Sequence, residues 1–115
     1  MIQVVTANRE GKLTLRLIGH AGYAEHGKDI VCASASILVY TFAQMMTDLY
    51  QQGRLLEEPM IRLEDGDAAI RVKPNDWGIM DARYALLMAQ TGFELLQANY
   101  PENLQLTKLG EALQP

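Results

Sequence analysis

Apolar and polar residues alternate along two stretches of this chain, and each stretch is followed by one with a longer, helical period. Ile2 to Thr6 is short and rich in β-forming residues, and Asn8-Arg9-Glu10-Gly11 supplies a turn. Leu13, Leu15 and Leu17 then alternate with Thr14 and Arg16. A period of two places the three leucines on one face of a sheet, so this segment reads as a hairpin with one dry and one wet side. From Ile30 to about Gln52 the apolar positions Val31, Leu38, Phe42, Met45 and Leu49 form a helical stripe, opened by Asp29 as N-cap and closed by Gly53.

The pattern then repeats. Met60 to Glu64 and Ala68 to Lys73 flank Asp65-Gly66 as a second hairpin, with Ile70 and Val72 alternating against Arg71 and Lys73. Lys73-Pro74-Asn75-Asp76 breaks the strand. A second helix begins near Ile79 or Met80, carries Ala82, Leu86, Ala89, Phe93 and Leu96 on one face, and ends near Asn99, where Tyr100-Pro101 stops it. Leu104-Gln105-Leu106 is a candidate last strand, and Lys108 to Pro115 is expected to fray. Two hairpins with one apolar face each, and two amphipathic helices to cover them, imply an α+β two-layer sandwich with a mostly antiparallel sheet.

Composition narrows the class of protein. The 115 residues are 49% apolar and 21% charged, which suits one globular domain spanning 1–115. A formal net charge of −4 without a basic cluster argues against a partner held through nucleic-acid phosphates. The single cysteine excludes an intramolecular disulfide. The N-terminal residues lack the charged-then-apolar pattern of a leader, and no apolar run reads as membrane-spanning, so a cytoplasmic protein without a membrane partner is expected. No cofactor motif appears, and Met45, Met46, Met80 and Met88 read as core or interface filler.

Candidate chemistry is concentrated between Gly19 and Ser36, GHAGYAEHGKDIVCASAS. With Asp29 as cap, Cys32 is the third residue of the helix, where unpaired N–H groups and the helix dipole favour a thiolate. The amides of Cys32 and Ala33 are candidate donors for an oxyanion. His20, at the end of the second strand on structured backbone, is favoured as base over His26 in the loop. Ser36 follows Cys32 by one helical turn on the same face. Gly19, Gly22 and Gly27 would let the connecting loop move aside for an extended substrate. The residues alone leave other roles open. Cys32 also suits a small buried hydrophobe, Asp29 a simple cap, and His20, His26, Asp29 and Cys32 a weak metal spacing. Redox sensing lacks a resolving cysteine.

The same run closely resembles the signature of the bacterial ribosomal-processing cysteine proteases, the Prp family: a Gly-His pair, a glycine-containing loop, Asp-Ile-Val-Cys-Ala, and a serine four residues after the cysteine. Here those positions are Gly19, His20, Gly22, Asp29, Cys32, Ala33 and Ser36. The resemblance implies a homodimeric α+β endopeptidase with a Cys-His dyad and no cofactor. Cys32 would be nucleophile and His20 general base and then acid, with Asp29 and Ser36 supporting them and Gly19 shaping the approach to His20. The implied substrate and partner is a precursor of large-subunit ribosomal protein L twenty-seven, cut after an aromatic residue to remove its N-terminal extension. A non-enzymatic, dimeric, ribosome-associated assembly module is the alternative of a different class.

Overall fold

The computed structural model describes residues 1–114. In chain order it contains β1 (Ile2–Arg9), β2 (Lys12–Ile18), α1 (Ile30–Gln51), β3 (Met60–Glu64), β4 (Asp67–Val72), α2 (Ile79–Asn99) and β5 (Leu104–Gly110). The strands form one five-stranded sheet in the order β3-β4-β2-β1-β5. Three neighbouring pairs are antiparallel, and β5 runs parallel to β1. The two-layer α+β architecture expected from the pattern is therefore present, as a mixed sheet with a full fifth strand.

Alternation sets the layers. Ile2 and Val4 of β1, Leu13, Leu15 and Leu17 of β2, Ile70 and Val72 of β4 and Leu104 of β5 are all buried on the sheet face that the helices cover. Helix α1 contributes Val31, Ala35, Val39, Phe42, Ala43, Met46 and Leu49 to this core, and α2 contributes Ala82, Ala85, Leu86, Ala89 and Phe93. One position of the expected α1 stripe is out of phase. Met45 is 37% exposed and Met46 is fully buried, because the stripe continues from Phe42 at a spacing of four rather than three.

Two further expectations change. Lys108 does not begin a frayed tail: residues 108–110 complete β5, Glu111 N–H bonds the Asn8 carbonyl at 2.8 Å, and Leu113 is buried. The buried Leu113 and the parallel pairing with β1 together tie down a segment whose composition is otherwise polar. Pro115, also expected to fray, lies outside the described residues. Helix α1 is, contrary to expectation, long and apolar enough to cross a membrane by length and composition, with a mean hydropathy of 1.5 over its most apolar stretch. In the fold, one side of it fills the core and the other leaves Ile30, Ile37, Tyr40 and Met45 exposed.

The register brings distant segments to one end of the sheet. Gln3 lies opposite Ile18, Ile18 opposite Asp67, Asp67 opposite Glu64, and Ile2 beside Leu104. The residues just beyond these pairs are Gly19-His20, Asp65-Gly66 and Asn103, and α1 starts at the same end.

Candidate active site

Asp29 organises the site. It is an extended N-cap whose Oδ1 accepts from Val31 N–H and Cys32 N–H at 3.0 Å each. Its Oδ2 accepts from Tyr23 N–H at 2.9 Å and Ala24 N–H at 3.2 Å. One carboxylate thus closes the first turn of α1 and also holds the loop that leads away from His20. Burial alone would raise the Asp29 carboxyl, but the four N–H donors, Cys32 first, outweigh it and hold the group below the usual aspartate range. Both oxygens are directed at amides, so the carboxylate is a cap and loop anchor.

This cap overturns one expectation. The amides of Cys32 and Ala33 are not free for an oxyanion: Cys32 N–H bonds Asp29 Oδ1, and Ala33 N–H bonds the Asp29 carbonyl at 3.0 Å. A side chain that caps a helix well consumes the same donors that an uncapped helix start would offer to a ligand. The donor found at the sulfur comes from elsewhere. Ala21 N–H points at Cys32 Sγ at 3.3 Å.

Cys32 is partly buried against the core, and its side chain lines an open cavity of about 350 Å³. The cavity is bounded by His20, Gly22, Ala24, His26, Gly27, Asp29, Cys32, Ala33, Ser36 and Asp65. Both histidines and the only cysteine of the chain therefore face one cleft. Ser36 stands one turn along α1 from Cys32, as its spacing requires. Among the described residues no three His, Cys, Asp or Glu side chains converge as a metal site. Asp29, one of the four residues of the metal-like spacing, has both oxygens turned to backbone amides.

The glycines of the signature differ in what they do. Gly19 has φ +101, and a Cβ there would lie 2.5 Å from the Met1 carbonyl oxygen, so only glycine lets β2 end against the start of β1. Its N–H bonds the Gly66 carbonyl at 2.9 Å, which fastens the approach to His20 onto the β3–β4 turn. Gly22 and Gly27 also have positive φ, but around each a Cβ would meet open space. The loop is anchored through its first half by Asp29 and by an edge-on contact of Tyr23 with Tyr100, whose ring centroids are 5.3 Å apart.

Three contributors to the site were not read from the sequence. A Cβ at Gly66 would lie 2.6 Å from His20 Nε2, so the bare backbone of this turn is the wall on which the imidazole rests. Asp65, beside it, lines the cleft. Asp67, at the base of the same turn, is bonded by Arg16 and by Arg62; the Arg16 hydrogen bond is the main cause that holds its carboxyl below the usual range. The third is Asn103, whose side-chain amide donates to the Ala21 carbonyl at 3.0 Å. The Asp-Gly turn was legible as a hairpin signal, but nothing local marks it, or Asn103, as a neighbour of the cleft.

A thiol and an imidazole on one open cleft, on an α+β scaffold with a capped helix beneath the sulfur, are the equipment of a thiol-dependent hydrolase. Comparison with known proteins gives the same class. The family model described as cysteine protease Prp matches residues 1–105. The ribosomal processing cysteine protease Prp of Staphylococcus aureus is 29% identical over 103 residues, covering 89% of this chain and 92% of the relative. The protein of that name in Bacillus subtilis is 28% identical over 102 residues, covering 85% and 87%. Among solved structures, the S. aureus protease with a covalently linked product peptide superposes with a TM-score of 0.68 at 28% identity, covering 94% of this chain and 99% of that one. The chain belongs to the Prp family of cysteine proteases.

Proposed function

We propose that this protein is a cytoplasmic endopeptidase that removes the N-terminal extension of large-subunit ribosomal protein L twenty-seven, with Cys32 as nucleophile and His20 as its general base and acid. The observation that carries this reading is the Cys32 sulfur, which lines an open cleft together with His20 and accepts a backbone N–H from Ala21. The S. aureus relative is a ribosomal processing protease whose structures include complexes with a substrate peptide and with a covalently linked product peptide.

The chemistry follows from the two side chains. His20 takes the proton from Cys32 Sγ, and the sulfur attacks the carbonyl carbon of an aromatic residue of the extension. A tetrahedral adduct forms with the charge on the former carbonyl oxygen. It collapses as the C–N bond breaks, and His20 returns its proton to the leaving amine. The thioester that remains is hydrolysed when His20 deprotonates a water, which attacks the same carbon and releases Cys32. No cofactor enters this sequence. Asp29 supports it by holding the first turn of α1 and the Tyr23-Ala24 backbone, and Ser36 adds a hydroxyl to the wall of the cleft.

The homodimer is part of the proposal. Ile37, Tyr40 and Met45 on the outer side of α1, and Tyr84 and Met88 on α2, are exposed, and a second copy of the chain is the occupant that would remove this apolar surface from water. The test of the function is incubation of the purified protein with a peptide spanning the precursor junction, with the products weighed. Cleavage after the aromatic residue is expected, and it is expected to vanish in Cys32→Ala and His20→Ala. Undiminished cleavage by either variant refutes the dyad, and an intact peptide with the parent protein refutes the substrate.

A further inference from the structure

We propose that Asn103 is a positioning residue for the nucleophile, acting through Ala21 to fix the N–H group that faces the Cys32 sulfur. This rests on the reading of Cys32 as nucleophile. Asn103 lies in the turn between α2 and β5, 82 positions from the residue it holds. Its main chain is pinned on both sides: its N–H bonds the Tyr100 carbonyl at 2.9 Å, and its carbonyl accepts Ile2 N–H at 2.9 Å. The side chain then reaches the Ala21 carbonyl at 3.0 Å, and because that partner is an acceptor, the amide nitrogen is the atom that must face it.

Ala21 is buried, and its own N–H is the donor 3.3 Å from Cys32 Sγ. The residue after it, Gly22, has φ +67, so the chain turns away immediately and gives Ala21 no strand neighbours to hold it. The same turn also grips the loop two residues later, through the edge-on pair of Tyr23 and Tyr100. Since the Cys32 and Ala33 amides are committed to Asp29, Ala21 N–H is the donor directed at the reacting sulfur. It faces the sulfur before attack. Once the sulfur is bonded to carbon, the charge lies on an oxygen two bonds from that sulfur, within the compass of the same N–H. A donor must be held in place to have this effect, and the Asn103 amide holds it.

The test compares the parent with Asn103→Leu, which removes the donor, and Asn103→Asp, which keeps the shape and presents an acceptor instead. Three quantities are read: the rate of iodoacetamide alkylation of Cys32 at neutral pH, kcat and KM on the junction peptide, and the unfolding midpoint. Both variants are expected to lose about tenfold or more in kcat with KM nearly unchanged, and to alkylate severalfold more slowly while remaining folded. Parent-like kcat and alkylation in a folded variant overturn the proposal. Should Asn103→Leu fail to fold, Asn103→Asp carries the test; if neither folds, Asn103 is purely structural and the proposal also falls. Alkylation needs no substrate, so a parent that alkylates normally without cutting the peptide refutes the substrate reading and leaves this one measurable. Cys32→Ser fixes the background rate.

Discussion

Replacing Asp29 separates its two tasks. In Asp29→Ala both are lost; in Asp29→Asn the remaining oxygen serves either the helix or the loop, and whichever way the amide turns, one pair of N–H groups faces an NH2. Loss of an N-cap side chain costs about 1 kcal/mol. Hydrogen bonds to a charged acceptor contribute about 1.5–3 kcal/mol each. Tyr23 and Ala24 are exposed, so water replaces much of this, leaving about 1–2 kcal/mol for the loop pair. Asp29→Ala should therefore lose about 2–3 kcal/mol and Asp29→Asn about 1–2 kcal/mol. With a urea dependence of about 2 kcal/mol per molar, the Asn midpoint moves down by roughly 0.5–1 M and the Ala midpoint further.

The pH dependence has a definite sign. The folded carboxyl is held below its usual range, so its contribution is complete above the ordinary aspartate pKa and fades as the pH falls through the lower folded value. The gap in stability between parent and Asp29→Asn should close over that acidic window and stay constant from about pH 6 to 8, where the unfolded carboxyl is also ionised. Urea titrations at a series of pH values measure it. An Asn variant as stable as the parent, or as unstable as Ala, refutes the division between cap and loop anchor.

Gly66→Ala and Gly11→Ala impose nearly the same backbone strain, at φ +70 and +76, but a Cβ meets His20 Nε2 at 2.6 Å in the first and open space in the second. Each should lose about 1–2 kcal/mol of stability, while only Gly66→Ala should lose about tenfold or more of peptide cleavage, since the imidazole must shift. Thermal unfolding and cleavage rates measured on both variants separate the two effects. Met46→Ala should cost about 2–5 kcal/mol as a truncated core residue, and Met45→Ala less than about 1 kcal/mol in the monomer; equal losses would contradict the helix phase. If the outer side of α1 pairs two copies, Tyr40→Glu should shift the mass measured by light scattering from dimer to monomer, and an unchanged mass would refute that interface.

The strands and helices were legible wherever a single period ran long enough. The leucines of β2 and the buried face of α2 fell where alternation and the helical period place them. The phase error at Met45 arose because two adjacent methionines are equally apolar and only packing distinguishes them. The length of β5 and its parallel pairing with β1 join the two ends of the chain, and no local pattern encodes such a contact. The shared cleft of Cys32 and His20 was legible because one short loop joins their elements. Gly66 and Asn103 reach it through sheet register, which sequence periodicity does not reveal. The expected oxyanion donors failed for a different reason. Two sound rules, that Asp caps helices and that helix starts bind anions, drew on the same N–H groups, and the carboxylate already in the chain occupies them.

As the proposed nucleophile, Cys32 carries the acyl group during cleavage. The most direct measurement is acid quenching of the protein during turnover of a junction peptide or slow ester analogue, followed by intact mass and peptide mapping. A thioester adduct of the N-terminal product mass on Cys32 is predicted, absent from Cys32→Ala. Cleavage that proceeds with the adduct on another residue, or undiminished in Cys32→Ala, would refute Cys32 as the nucleophile.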